Sequence, residues 1–137
     1  MTTTPELCEK IVATSYDTLT PEAIALARRL VLDGIAIALA GTDEEAIGLL
    51  AEHYRGMGAR EDAVVLGLGF RTAPTLAAAL NGASMHVLDF EPMWTPSNHA
   101  LSTTLPAILA LADTRPVSGR DIITALVKGP TDATATS

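Results

Sequence analysis

Between His86 and His99 the chain collects most of its chemistry in 14 residues. The stretch holds two of the three histidines, the carboxylates of Asp89 and Glu91, the only tryptophan (Trp94), two prolines and Asn98. Three uses fit these residue types. His86, Asp89, Glu91 and His99 have the donor atoms for zinc, manganese or iron, although their spacing follows no specific ligand pattern. Asp89 and His99 suit acid–base work, because imidazole exchanges protons near neutral pH and a carboxylate can fix its tautomer. The third use is architectural, with Asp89 capping helix ends, His99 packed in a polar interface and Trp94 filling space.

The flanking sequence reads as helices, and a polar loop between two helices is where such a scaffold can carry reactive groups. A first helix starts at Thr4-Pro5-Glu6, with a hydroxyl to cap it and a proline in its first turn. A stronger start at Thr20-Pro21-Glu22 leads into Ile24, Ala27, Val31, Ile35 and Ala38 at helical spacing, and Gly41 stands where a left-handed C-cap is expected. Beyond Leu30 this helix is apolar nearly all round, which predicts the central buried one, with Asp33 hydrogen-bonded to a neighbouring helix. Thr42 to Glu45 fits a capping box opening a third helix through Ile47, Leu50 and Tyr54. His53 in its last turn reads as structural or solvated.

Ala63 to Gly67 is the one strand-like run. Gly67 and Gly69 suggest a dinucleotide loop, but a third glycine and the ribose-binding acid are missing, so a short hairpin or extended excursion is expected instead. Pro74 opens an Ala-rich helix to His86. After the polar loop, helices follow from near Ser102 to Asp113, with Pro106 in the early turns, and from the Ser118–Asp121 cap to Gly129-Pro130. The expectation is an all-α domain over residues 1–129, about six helices with one extended segment near 63–70, then a polar disordered tail over 130–137.

Bulk properties exclude several classes. Nine Lys and Arg stand against 16 Asp and Glu, for a net charge of −7, with no basic run to hold nucleic acid. Cys8, the single cysteine, rules out an internal disulfide and a cysteine-based zinc site. The N-terminus lacks a signal-peptide pattern, and the longest apolar stretch, Leu30 to Ala40, contains Asp33 and is too short for a membrane span. The cytoplasm is the simplest home. A hydrophobic content of 48% with only 4% aromatics predicts an aliphatic, Ala-rich core of closely packed helices.

Several segments together resemble the N-terminal part of the MmgE/PrpD family of 2-methylcitrate dehydratases and cis-aconitate decarboxylases. They are Arg29 to Gly41, Asn81-Gly82, His86 to Glu91, His99, and Leu105 to Ala112, and the likeness covers residues 5 to 129. The resemblance implies part of a large helical lyase domain, completed in the family by later helices and a smaller α+β lid. It implies action on small di- and tricarboxylic acids, with no metal and no other cofactor. It assigns Asp89 and His99 to the active-site pocket as catalytic groups, and His86 and Trp94 to its wall or loop anchors. Met93 occupies the position where the decarboxylases place a threonine, which favours dehydration. The expected activity is proton removal beside a carboxylate with loss of a β-hydroxyl as water. The family's further histidine and lysine residues have no match here, and residues 73 to 111 contain no Lys or Arg to hold an anionic substrate. The chain is therefore expected to be a truncated or fragmentary lyase, inactive alone and homo-oligomeric. A non-catalytic helical domain that pairs with itself or a complementary chain is the alternative.

Overall fold

A computed structural model describes residues 3–93 and 98–129. The expected site residue Trp94 and the expected disordered tail lie outside these residues. The described chain is mostly helical: α1 (Thr4–Ala13), α2 (Pro21–Gly41), α3 (Glu45–Gly56), a hairpin of β1 (Ala63–Val65) and β2 (Phe70–Thr72), then α4 (Pro74–His86), α5 (Ala100–Ala112) and α6 (Gly119–Lys128). Prolines in the first turns of α1, α2 and α4 start those helices as expected. At α1 the cap is Thr3 rather than Thr4, and Glu6 accepts its backbone N–H at 2.7 Å. Ser118 caps α6, accepting from Asp121 N while Asp121 accepts from Ser118 N.

Small residues make α4 the spine of the fold. Its Ala77 and Leu80 enter one apolar cluster with Ile47, Ala51, Ala63, Val65 and Ala110. Met85, one turn further on, enters a second with Ala27, Ala38, Leu101, Leu105, Ile123 and Leu126. A Cβ on Gly41 would stand 2.1 Å from the Ser84 backbone oxygen, and one on Gly82 would stand 2.7 Å from that of Ser102. The helices α2 and α5 thus meet α4 backbone to backbone. Pro106 has no N–H to offer the Ser102 carbonyl one turn back, and the bare Gly82 lies against that carbonyl instead.

The hairpin is tied to the same helix. Its strands pair antiparallel with Val64 opposite Arg71, and Gly67 and Gly69 take φ of +73° and +68° at the turn. Asn81, buried on α4, accepts Leu66 N–H at 2.9 Å and donates to Val64 O at 3.1 Å. Asp113 accepts Val64 N–H at 2.7 Å, and Arg55 donates to Leu68 O while stacking on Phe70.

Four further expectations are corrected. The central buried helix is α4, not α2: Leu32 is 71% exposed, and Asp33 is exposed rather than bonded to a neighbouring helix. Gly41 ends α2 in helical geometry, and it is glycine because Ser84 leaves no room for a side chain. No capping box forms at Thr42, whose hydroxyl turns back to Leu39 O at 2.7 Å while Glu44 takes the cap position of α3. A threonine beside a helix end can bond backwards as well as forwards, and here the backward bond wins.

Gly41→Ala is expected to destabilise the fold by roughly 1–3 kcal/mol or more, because a backbone carbonyl cannot yield as a side chain can. Gly48, inside α3 with nothing within 4 Å, is the control. Gly48→Ala should gain roughly 0.5–1 kcal/mol. Denaturant melts of both variants check the contrast.

Candidate active site

His86 ends α4 and His99 caps α5, so the packing of these two helices brings the ends of the reactive stretch together. The two rings meet edge to face with centroids 4.5 Å apart. Between them stands Glu91, whose side chain is fully buried. Its Oε1 lies 3.1 Å from Nδ1 of His86 and 3.1 Å from Nδ1 of His99. Its Oε2 accepts the Ser102 backbone N–H at 2.9 Å. That N–H belongs to the first turn of α5, where backbone donors have no intrahelical partner and the helix dipole favours an anion. His99 itself makes no side-chain cap, so Glu91 does this work from the preceding loop.

The carboxyl of Glu91 is held below its ordinary range by a balance of opposing effects. Burial pushes it up most strongly, but hydrogen bonds from Ser102 and His86 and the nearby His99 together outweigh that. The contact to His86 has hydrogen-bond geometry. The Nδ1 of His99 is buried at the same distance but off the bonding direction, and it has no hydrogen bond among the described residues.

Asp89 sits differently. Its side chain is 78% exposed, and its Oδ1 lies 3.8 Å from His99 Nε2, too far for a direct hydrogen bond. Its φ of +55° is unusual for a residue with a Cβ, and an aspartate tolerates it better than most. A hydrogen bond from its N–H to His86 O at 2.9 Å closes this turn. Met93 is exposed on the same loop. The structure therefore gathers His86, Glu91 and His99 tightly, with Asp89 at the rim.

Glu91 is the site residue that sequence reasoning left off its list of catalytic and substrate-binding groups. A usable signal existed: no Lys or Arg lies between Arg71 and Arg115, so a carboxylate buried there must find its partners in the flanking histidines. His86, Glu91 and His99 each offer a ligand atom, all within 4.8 Å of one another, so among the described residues this trio could also close on a metal ion. Arg71 is engaged on the hairpin with the carbonyls of Glu61 and Asp62. A cleft of about 490 Å³ lies elsewhere, lined by Tyr16, Arg28, Val31 and the start of α6. Its Arg120 is stacked on Tyr16 and paired with Asp17, so the chemistry stays with the histidine loop.

Because the folded state lowers the Glu91 pKa, its ionised form stabilises the fold above the ordinary carboxylate range. That contribution disappears as pH falls through the folded value. Glu91→Gln is expected to cost about 1–3 kcal/mol at neutral pH, with the gap to wild type closing on acidification. Urea melts across a pH series measure the gap. A constant difference down to strongly acidic buffer would show that ionisation of Glu91 does not matter to folding.

The family model described as the MmgE/PrpD N-terminal domain matches residues 5–130. Cis-aconitate decarboxylase of Mus musculus is 30% identical over 116 residues, covering 81% of this chain and 24% of that protein. The Homo sapiens enzyme matches to the same extent. The cis-aconitate decarboxylase-like protein oryM of Aspergillus oryzae is 29% identical over 137 residues, covering 92% of this chain and 28% of its own. The chain spans about a quarter of the length of these relatives. With a family match along nearly its whole length, the chain belongs to the MmgE/PrpD family.

Proposed function

We propose that this chain carries the acid–base part of a carbon–oxygen lyase site of the 2-methylcitrate dehydratase type, acting on small di- and tricarboxylic acids in the cytoplasm. The observation that carries the reading is the placement of His99. One ring nitrogen stands against buried Glu91, and the other faces Asp89 across a 3.8 Å gap. In this mechanism Nε2 of His99 takes a proton from the carbon beside a substrate carboxylate, or returns one to the departing hydroxyl. Asp89 contacts the substrate hydroxyl or the same imidazole from the solvent side.

Met93 in place of threonine favours dehydration. The named relatives are decarboxylases, and their similarity supports decarboxylation of cis-aconitate as the second reading. Both reactions need cationic groups for several substrate carboxylates, and Arg71 is committed to the hairpin. On this reading those groups come from outside the 137 residues, and the chain alone does not turn over substrate.

In a complete enzyme carrying this segment, His99→Ala is expected to lower kcat by ~10²–10⁴. Assays with 2-methylcitrate and with cis-aconitate decide between the two reactions. Undiminished turnover of both substrates by a folded His99→Ala enzyme would remove His99 from the mechanism. Turnover by the 137-residue chain itself would overturn its assignment as incomplete.

One further observation supports pairing with another chain, a second copy first. Leu32, Ala36 and Leu39 are all exposed and form one stripe along the second half of α2, with Leu32 and Leu39 at 71% and 46%. Light scattering is expected to show a homo-oligomer, and charge at the stripe (Leu32→Glu with Leu39→Glu) should return it to monomer. A wild-type monomer at high concentration would rule out self-pairing.

A further inference from the structure

Glu91 has a role beyond anchoring the loop. Its carboxylate is buried and ionised, and Ser102 N–H already occupies Oε2 at 2.9 Å. Its Oε1 faces two imidazole nitrogens, Nδ1 of His86 and Nδ1 of His99, each at 3.1 Å. A neutral imidazole carries its proton on one nitrogen and a lone pair on the other. If either Nδ1 held the lone pair, it would stand against a lone pair of a fully buried carboxylate at 3.1 Å, and at His99, whose Nδ1 is buried too, that repulsion is poorly screened. The buried Nδ1 of His99 would then also lack any partner. Protons on both Nδ1 atoms turn both contacts attractive, that of His86 as a hydrogen bond and that of His99 as a close dipole-to-charge contact at 3.1 Å.

We propose that Glu91 is the positioning residue of this site: its Oε1 holds both His86 and His99 in the Nδ1–H form, so that each ring keeps Nε2 free to accept a proton. For His99 the freed nitrogen is the one facing Asp89 across the 3.8 Å gap. A proton-bearing group lying beside that pair on the solvent side, a substrate hydroxyl or a water, can donate to either. The catalytic consequence rests on His99 being the acid–base group of the proposed lyase. The tautomers themselves do not depend on that reading.

Reversing the polarity of Glu91 provides the test. In Glu91→Gln the side-chain oxygen is claimed by Ser102 N–H, so the amide NH₂ faces both Nδ1 atoms and favours lone pairs there. Long-range ¹H–¹⁵N correlation spectra of ¹⁵N-histidine-labelled chain, in alkaline buffer, read the tautomer of each ring directly. The exposed His53 on α3 is the internal reference. The expected result is Nδ1–H for His86 and His99 in the wild-type chain and a switch toward Nε2–H in Glu91→Gln, with His53 unchanged. A purely structural Glu91 would not produce that switch.

Wild-type His99 in the Nε2–H form would overturn the proposal, as would tautomers unchanged in a folded Glu91→Gln chain. Should that variant not fold, the wild-type spectrum decides alone. Stoichiometric zinc binding that moves both Nδ1 resonances would overturn it too, because the two nitrogens would then serve as ligands. Expected tautomers combined with full activity of His99→Ala would sink the lyase assignment and leave the role of Glu91 standing.

Discussion

A buried carboxylate must be surrounded by donors, and satisfying Glu91 organises this end of the molecule. An ionised carboxylate taken out of water costs several kcal/mol unless hydrogen bonds and opposite charge offset it. No Lys or Arg lies between Arg71 and Arg115 to do so. The offset comes from three weaker sources: the first turn of α5 through Ser102 N–H, and the rings of His86 and His99. His86 belongs to the end of α4, whereas His99 and Ser102 belong to the start of α5, so Glu91 ties the loop to both helix ends at once.

That arrangement needs α4 and α5 to approach closely, which explains the composition of α4. With larger residues at Gly82 and Ser84 the helices would separate, and His86 would draw away from His99. Gly82 against the Ser102 carbonyl sets the approach to α5, and Ser84 against Gly41 sets the approach to α2. The fold has exchanged side-chain volume on α4 for backbone proximity. Asn81 supplies what the small residues cannot, two directed bonds that hold the hairpin on the same helix. The segment Asn81-Gly82 is thus one polar tie and one close contact, each limited to few residue types.

Much of this was legible in the sequence, and the misses share a cause. Helix starts at Thr20-Pro21, Pro74 and Ser118 are local, so the residues that specify them lie next to one another. The hairpin and the collection of chemistry between His86 and His99 could be read in the same way. What failed depended on partners distant in sequence. An all-round apolar α2 states what a helix is able to bury, not what this stretch of chain covers, and Leu32 stands open. A glycine after a helix can mean a left-handed cap or a close neighbour, and only the position of Ser84 decided for Gly41. Asp89 and Glu91 are equivalent acids on the page, two residues apart. Their difference, one at the rim and one fully buried, appears only once α5 presents its free N–H groups.

The same electrostatics bear on how such a site would handle an anionic substrate. Two carboxylates already stand beside His99, and both would repel a substrate carboxylate, the exposed Asp89 less strongly because solvent screens it. Pairing with the histidines partly cancels Glu91, while Asp89 is tempered chiefly by solvent. A di- or tricarboxylate would therefore settle at His99 only with cations brought to its far side. On the lyase reading, the residues that move the proton and those that hold the substrate are separate sets, and this chain contributes the first. The uncovered stripe on α2 points the same way, because it marks a surface on which further polypeptide could pack.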